Sequence, residues 1–234
     1  MNIEPPGIFP QPIYAPLAFD YNRAGVEHEL LALVPQFRPI LISESSTLPE
    51  NRRRWFMVVD DEQLDHVDRH RNGEAIVGKY RSLEGLGLRR GPTGLTVDDS
   101  VTRRKADDCA GWDWDLRYDV PLTRATIERL PFTRLRGVRL LSLPPGGFLP
   151  THRDAVDDSY WEQGHATLSL LVTDGGQPML MQAENGEIKA VSDAAFLFRD
   201  SAPHGVAPVT SRRLLLRVSG ICDQAALAAM VQMP

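Results

Sequence analysis

The sequence predicts a mainly antiparallel β fold, a sandwich or barrel of short strands with a few flanking helices. Three observations carry that expectation. Six short apolar or alternating segments succeed one another between Arg136 and Ile221, with turn signals and no long helical pattern between them. The 234 residues include 18 prolines and 18 glycines, which favours frequent turns over a helical bundle. Asn185-Gly186, between two of the segments, is a strong signal for a two-residue hairpin.

The elements follow in chain order. Residues 1–25 hold five prolines with little periodicity and read as an extended arm. Phe37–Ile42 and Trp55–Val59 are short apolar runs with strand character, and Asp61–His70 reads as a polar helix with Asp60 as its N-cap. The glycine-rich and charged stretch from Arg81 to Tyr118 predicts long irregular loops, which more often serve function than connection alone. Residues 122–130 have helical spacing, ended by Pro131. The expected strands are then Arg136–Leu143, Ala166–Thr173, Met179–Ala183, Ile188–Val191, Ala195–Phe198 and Arg213–Ile221. One domain is the expectation: flanking elements over 1–130, a β core over 131–223 and a tail over 224–234.

Composition narrows the function classes. A net charge of −5, spread over both signs, gives no electrostatic case for nucleic-acid binding. No apolar run reaches bilayer-spanning length. The start, Met1-Asn2-Ile3-Glu4-Pro5-Pro6, lacks the basic and apolar stretches of a secretion signal, so a cytoplasmic location is expected. Two distant cysteines, Cys109 and Cys222, suggest no disulfide framework.

The candidate chemistry lies inside the β region. Thr151-His152-Arg153-Asp154 follows a strand and the turn Pro144-Pro145-Gly146-Gly147. On a strand, positions i and i+2 share a face, so His152 and Asp154 can offer an imidazole and a carboxylate together. His204 follows the apolar run 194–198 and precedes Gly205-Val206. Two histidines and one carboxylate leave three positions open on a metal, the set that non-heme Fe(II) uses for a bidentate cosubstrate and O₂. An isolated H-x-D is more often a surface pair; the flanking strands, the second histidine and the basic strand that follows reverse that weighting.

That strand is Ser211-Arg212-Arg213-Leu214-Leu215-Leu216-Arg217-Val218-Ser219, with Arg213 and Arg217 on one face. Arginine in an apolar strand is costly unless it meets an anion, and its fork matches a carboxylate such as the distal one of 2-oxoglutarate. The alternative for either is a sheet-surface ion pair. His165, Thr167 and Ser169, alternating with Leu168 and Leu170, form one polar face of an earlier strand, lining the metal cavity or facing solvent.

Residues 136–223 resemble the aspartyl/asparaginyl β-hydroxylase-like branch of the 2-oxoglutarate oxygenases, which includes free L-proline hydroxylases. The resemblance rests on Leu140-Leu141-Ser142-Leu143-Pro144-Pro145-Gly146-Gly147, Pro150-Thr151-His152-Arg153-Asp154, Phe196-Leu197-Phe198-Arg199-Asp200, His204-Gly205-Val206 and Arg213-Leu214-Leu215-Leu216. It implies a double-stranded β-helix, the jelly roll shared with cupins. It also implies Fe(II) held by His152, Asp154 and His204, with 2-oxoglutarate and O₂ as cosubstrates and succinate and CO₂ released. Arg213 matches the family's cosubstrate arginine best, while Arg217-Val218-Ser219 is similar to the R-x-S motif of other branches. Nothing in residues 1–130 carries a resemblance.

Substrate contacts are expected from Trp161, just after the metal motif, and from Trp112 and Trp114 in the central loop as a lid. Tryptophans in loops also serve as packing anchors. The triplets Arg52-Arg53-Arg54 and Arg103-Arg104-Lys105, and the His66/His70 spacing, read as solvated faces. The expected substrate is a small molecule, a free amino acid or a metabolite derived from one. Oxidation or desaturation of a peptidyl or carrier-bound residue is the alternative within the class. A cupin-like metal-binding protein without oxygenase activity, or a metal hydrolase or isomerase, are the alternatives outside it.

Overall fold

The computed structural model describes residues 13–39, 83–90, 111–152, 164–183, 185–199 and 202–232; at 38, 39, 90 and 150–152 it describes the backbone alone. Helices among these are α1 (Arg23–Leu31), α2 (Pro121–Glu128) and α3 (Gln224–Met230). The strands before the β core are β1 (Tyr14–Pro16), β2 (Arg38–Pro39), β3 (Glu84–Gly87), β4 (Arg89–Arg90) and β5 (Asp113–Trp114). The core strands are β6 (Phe132–Leu143), β7 (Leu149–His152), β8 (His165–Asp174), β9 (Met179–Gln182), β10 (Ile188–Val191), β11 (Ala195–Phe198), β12 (His204–Val206) and β13 (Arg213–Cys222).

Two antiparallel sheets face each other. The larger runs β1-β11-β8-β13-β6-β3-β2 and the smaller β10-β9-β12-β7, with β4 and β5 paired separately. Along the chain, β6, β8, β11 and β13 enter the larger sheet while β7, β9, β10 and β12 enter the smaller. That alternation of antiparallel strands between two sheets is the double-stranded β-helix, a jelly roll.

Alternation along each strand divides the apolar residues between two cores. Phe196, Phe198, Leu171 and Leu143 of the larger sheet meet Met179, Met181, Val191 and Val206 of the smaller one between the sheets. Leu168, Leu170, Leu214, Leu216, Val138 and Leu140 point the other way and bury Val26 and Leu30 of α1 and Ile127 of α2. The larger sheet therefore buries apolar side chains on both faces, which is why its strands carry long apolar runs.

The helix layer is tied down by polar contacts. Val120 gives α2 no side-chain cap, and Glu29 of α1 replaces one, accepting from Leu122 N, Thr123 N and Thr123 Oγ1, each at 2.8 Å. Tyr21 donates its hydroxyl to Leu171 O at 3.0 Å, and burial pushes the phenol up to about 12, against the opposing pull of Arg23. A phenol that ionises later in the folded than in the unfolded chain adds stability that is lost as pH rises through roughly 10 to 12. Tyr21→Phe is expected to cost about 1 kcal/mol at neutral pH and to flatten the loss between pH 10 and 12. Denaturant melts at successive pH values measure both, and an unchanged alkaline slope would reject this account.

Three turns gather at one end of the jelly roll. Gly146 N donates to Val209 O at 2.8 Å, Val209 N to Gly147 O at 2.9 Å and Thr210 N to Gly175 O at 2.9 Å. Gly175 has φ +65°, and a Cβ there would lie 2.9 Å from Arg213 Cβ, so its place between β8 and β13 suits only glycine. Gly220 stands at a register shift between β13 and β6, where a Cβ would come 2.2 Å from Arg134 O.

Several expectations need correction. The end of the arm assigned to 1–25 already belongs to α1, and Tyr14–Pro16 pairs with β11, because alternate residues there bury into the two cores. The stretch from Arg81 is not all loop, since Glu84–Gly87 extends the larger sheet beside β6. The tail at 224–234 carries α3, capped by Asp223 through Ala225 N and Ala226 N at 3.0 Å. Asn185-Gly186 does not close a two-residue hairpin: pairing ends at Gln182–Ile188, and Ala183 and Glu187 belong to the connection. The segments Trp55–Val59 and Asp61–His70, with His66 and His70, lie outside the described residues, as do both basic triplets and Cys109.

Candidate functional site

His204 begins β12, and its register partner on β7 is His152. The two histidine positions thus stand directly opposite on adjacent antiparallel strands, a juxtaposition that the fifty-one intervening residues do not display. Asp154 and Trp161 lie outside the described residues. Among the described residues no group of three His, Cys, Asp or Glu side chains gathers to hold an ion.

The His204 ring is 2% exposed and its Nδ1 lies 2.9 Å from Ala202 O. A carbonyl only accepts, so Nδ1 carries a proton, and when the ring is neutral its lone pair lies on Nε2. That is the tautomer a metal-ligating histidine needs, with a backbone carbonyl holding the ring's other nitrogen. Phe198 packs edge-on against the same ring at 4.8 Å between centroids, and Arg217 lies over Phe198 at 5.1 Å. His204, Phe198 and Arg217 therefore form one contact series between the two sheets.

The two candidate arginines occupy different depths of the same interior face. Arg213 pairs with Leu143 and Asp174 at the end where the three turns gather; Arg217 pairs with Arg139 and Ser169, toward the histidines. Four residues of strand separate them, about 13 Å. Between them lies an apolar row, Leu215 with partners Leu141 and Leu171. Arg213 is 3% exposed; its Nη1 donates to Asp174 O at 3.0 Å and Gln177 O at 2.7 Å. Its buried Nη2 has no partner among the described residues. Burial pushes the guanidinium down to about 10, partly offset by Asp174 and reinforced by Arg23. A cation held at that cost, with a donor left over, suits a buried anion.

His165 opens β8 at the histidine end and is buried, as are Thr167 and Ser169 on the same face. This polar face therefore turns into the protein and not toward solvent. Trp112 and Trp114 are placed elsewhere. Trp114 packs against the helix-side core, flanked by Arg89 at 5.8 Å and Arg124 at 5.6 Å. Arg136 lies over Trp112 at 5.9 Å, and Arg89 donates to Trp112 O and Leu135 O. Trp114 thus anchors packing on the far side of the larger sheet from His204, the alternative its sequence left open. Residues the sequence reading did not single out are Phe198 and Arg139. Pairing Arg139 with Arg217 needs the β6–β13 register, though period two already sets Arg139 on the face of Leu141 and Leu143.

No family model matches the chain, and no curated protein matches it. Solved structures similar to it include a prolyl-4-hydroxylase from Pseudomonas putida, 18% identical over 84% of this chain and 97% of that one, TM-score 0.33. A nickel complex of a non-heme monooxygenase is 14% identical over 90% of this chain and 74% of that one, TM-score 0.39. A cupin domain from Bordetella pertussis is 16% identical over 42% of this chain and 81% of that one, TM-score 0.24. The jelly-roll assignment rests on the strand order and not on these likenesses. Among the described residues, no helix is long and apolar enough to cross a membrane.

Proposed function

We propose that the chain is an Fe(II)- and 2-oxoglutarate-dependent dioxygenase that hydroxylates a free amino acid or a small amino-acid-derived metabolite. The observation that carries the reading is the pairing of His152 with His204 at one end of an interior whose other end buries Arg213 with a spare donor. Those donors suit the cofactors. His204 is held in the ligating tautomer, and Arg213 suits the distal carboxylate of a dicarboxylic acid. His152, Asp154 and His204 would hold the iron, and the apolar row of Leu141, Leu171 and Leu215 suits the cosubstrate's methylenes. The bound iron and cosubstrate supply the oxidising chemistry.

The chain's own task is orientation and exclusion of water. Phe198 sets its ring edge against His204, limiting the imidazole's tilt, while the packed core between the sheets keeps bulk water from its neighbours. Hydroxylation of a small substrate in place of a peptidyl or carrier-bound one rests on the sequence resemblance. Anaerobic protein with Fe(II) and 2-oxoglutarate is expected to develop a weak visible charge-transfer band, and with O₂ to release succinate when the right amino acid is present. A metal-replete protein that shows no band would be a jelly-roll metal binder of another kind.

A further inference from the structure

Two buried donors share the inner face of the larger sheet. One is Arg213 Nη2, on a guanidinium whose Nη1 is held by the carbonyls of Asp174 and Gln177. The other is Ser169 Oγ, on a residue of β8 that is 0% exposed. Neither atom has a hydrogen-bond partner among the described residues. A buried donor without an acceptor is costly, and native structures keep few of them. Ser169 is the register partner of Arg217 on β13, four residues from Arg213, so about 13 Å of strand separates the two rows. The row between them is apolar, with Leu215 flanked by Leu141 and Leu171. Two buried donors at the ends of an apolar strip suit a ligand that is polar at both ends and apolar between.

We infer that Ser169 is a second anchor for the cosubstrate, donating to the carboxylate of its keto-acid end while Arg213 holds the distal one. This deepens the oxygenase reading and rests on it. Ser169 stands toward the histidines: its partner on β11 is Phe196, which packs on Phe198 at 6.0 Å, and Phe198 meets His204. Both donors keep to their own rows, because serine is short and Arg213 is tied to carbonyls of the β8–β9 turn. An extended five-carbon diacid measures about 5 Å between its carboxyl carbons. A hydrogen bond adds roughly 3 to 4 Å at either end, which brings the span to the row spacing. One methylene more or fewer changes that length by roughly 1.3 Å and leaves one of the donors badly met.

The test titrates oxaloacetate, 2-oxoglutarate and 2-oxoadipate into the full chain loaded with Mn(II), read by calorimetry. The parent is expected to bind 2-oxoglutarate at least about tenfold tighter than the acids one carbon shorter and longer. Ser169→Ala should weaken 2-oxoglutarate at least about tenfold while leaving Mn(II) affinity within about threefold. Without cosubstrate the same variant should melt no lower than the parent, because it deletes a buried hydroxyl that has no acceptor; a serine kept for folding would lower the melting temperature. Ser169→Cys keeps nearly the same volume with a weaker donor, and its Kd should fall between the two. The inference is overturned by an unchanged Kd for 2-oxoglutarate in Ser169→Ala, or by a melting temperature that falls in that variant. Equal binding of the three acids by the parent overturns it as well. Failure of 2-oxoglutarate to bind the Mn(II) parent is a separate result: it overturns the oxygenase reading, and the anchor with it.

Discussion

His204→Ala is expected to weaken Mn(II) or Fe(II) binding by at least about 100-fold and to abolish succinate release, while the protein remains folded. The ring is buried, its Nδ1 is committed to Ala202 O, and Phe198 fixes its tilt, so the side chain presents Nε2 in one orientation. Loss of the ring removes that lone pair from the proposed metal set. The strand pairing itself is backbone and survives. A Mn(II) titration followed by electron paramagnetic resonance reads the affinity, and circular dichroism reads the fold. Undiminished Mn(II) affinity in a folded variant would remove His204 from the proposed metal set. Phe198→Leu is the informative companion: it keeps the ligand and loosens the ring, so a fall of roughly 10-fold is expected in place of a complete loss.

Arg213→Met is expected to raise the Kd of 2-oxoglutarate by about 100-fold while leaving metal affinity within about threefold. The split follows from depth. Arg213 sits at the end where the turns gather, about four strand residues from the row of Arg217, so in the proposed site it would meet the cosubstrate's far carboxylate and not the metal. Methionine fills the buried volume but offers no donor, and the carbonyls of Asp174 and Gln177 lose theirs as well. Some loss of stability should accompany the binding defect. Arg213→Lys separates the two contributions, because an ammonium restores charge without the two-pronged geometry and should recover only part of the affinity. Calorimetric titration of 2-oxoglutarate into the Mn(II) protein decides it. An unchanged Kd would leave Arg213 as a clamp on the turn between β8 and β9 and would move the cosubstrate to another cation.

Much of the β core was legible from local pattern. Ile188–Val191 and Ala195–Phe198 are the predicted segments residue for residue, and the strands at 166–173 and 213–221 differ from prediction only at their ends. The strands at 166–173, 195–198 and 213–221 could be read because burial on one or both faces leaves a period or an apolar run, whereas Ile188–Val191 is exposed except at Val191 and was marked by the turn signals around it. Shorter strands escaped. Leu149–His152 has no apolar run and His204–Val206 only three residues; they are strands because they pair with each other, and His204–Val206 pairs also with β9. Glu84–Gly87 escaped for another reason: two of its four residues are glycine, and its place beside β6 is a long-range pairing. Helix α1 lacked a clean amphipathic stripe, and its start depends on Asn22 accepting from Gly25 N and on burial of Val26 and Leu30 beneath the larger sheet.

For the site, the residue types and their order were set down in the chain: a histidine after a proline-glycine turn, a second histidine after an apolar strand, then an arginine-bearing strand. Tertiary structure decided which of them meet. Register alone puts His152 opposite His204, places Arg139 beside Arg217 and sends Arg213 to the far end with the turns. It also turns the His165–Ser169 face inward and sets Trp114 on the other side of the sheet. The physical reason is that periodicity reports only which face of its own strand a side chain takes. Which strand lies alongside, and at what offset, is settled by burying two cores at once across contacts distant in sequence.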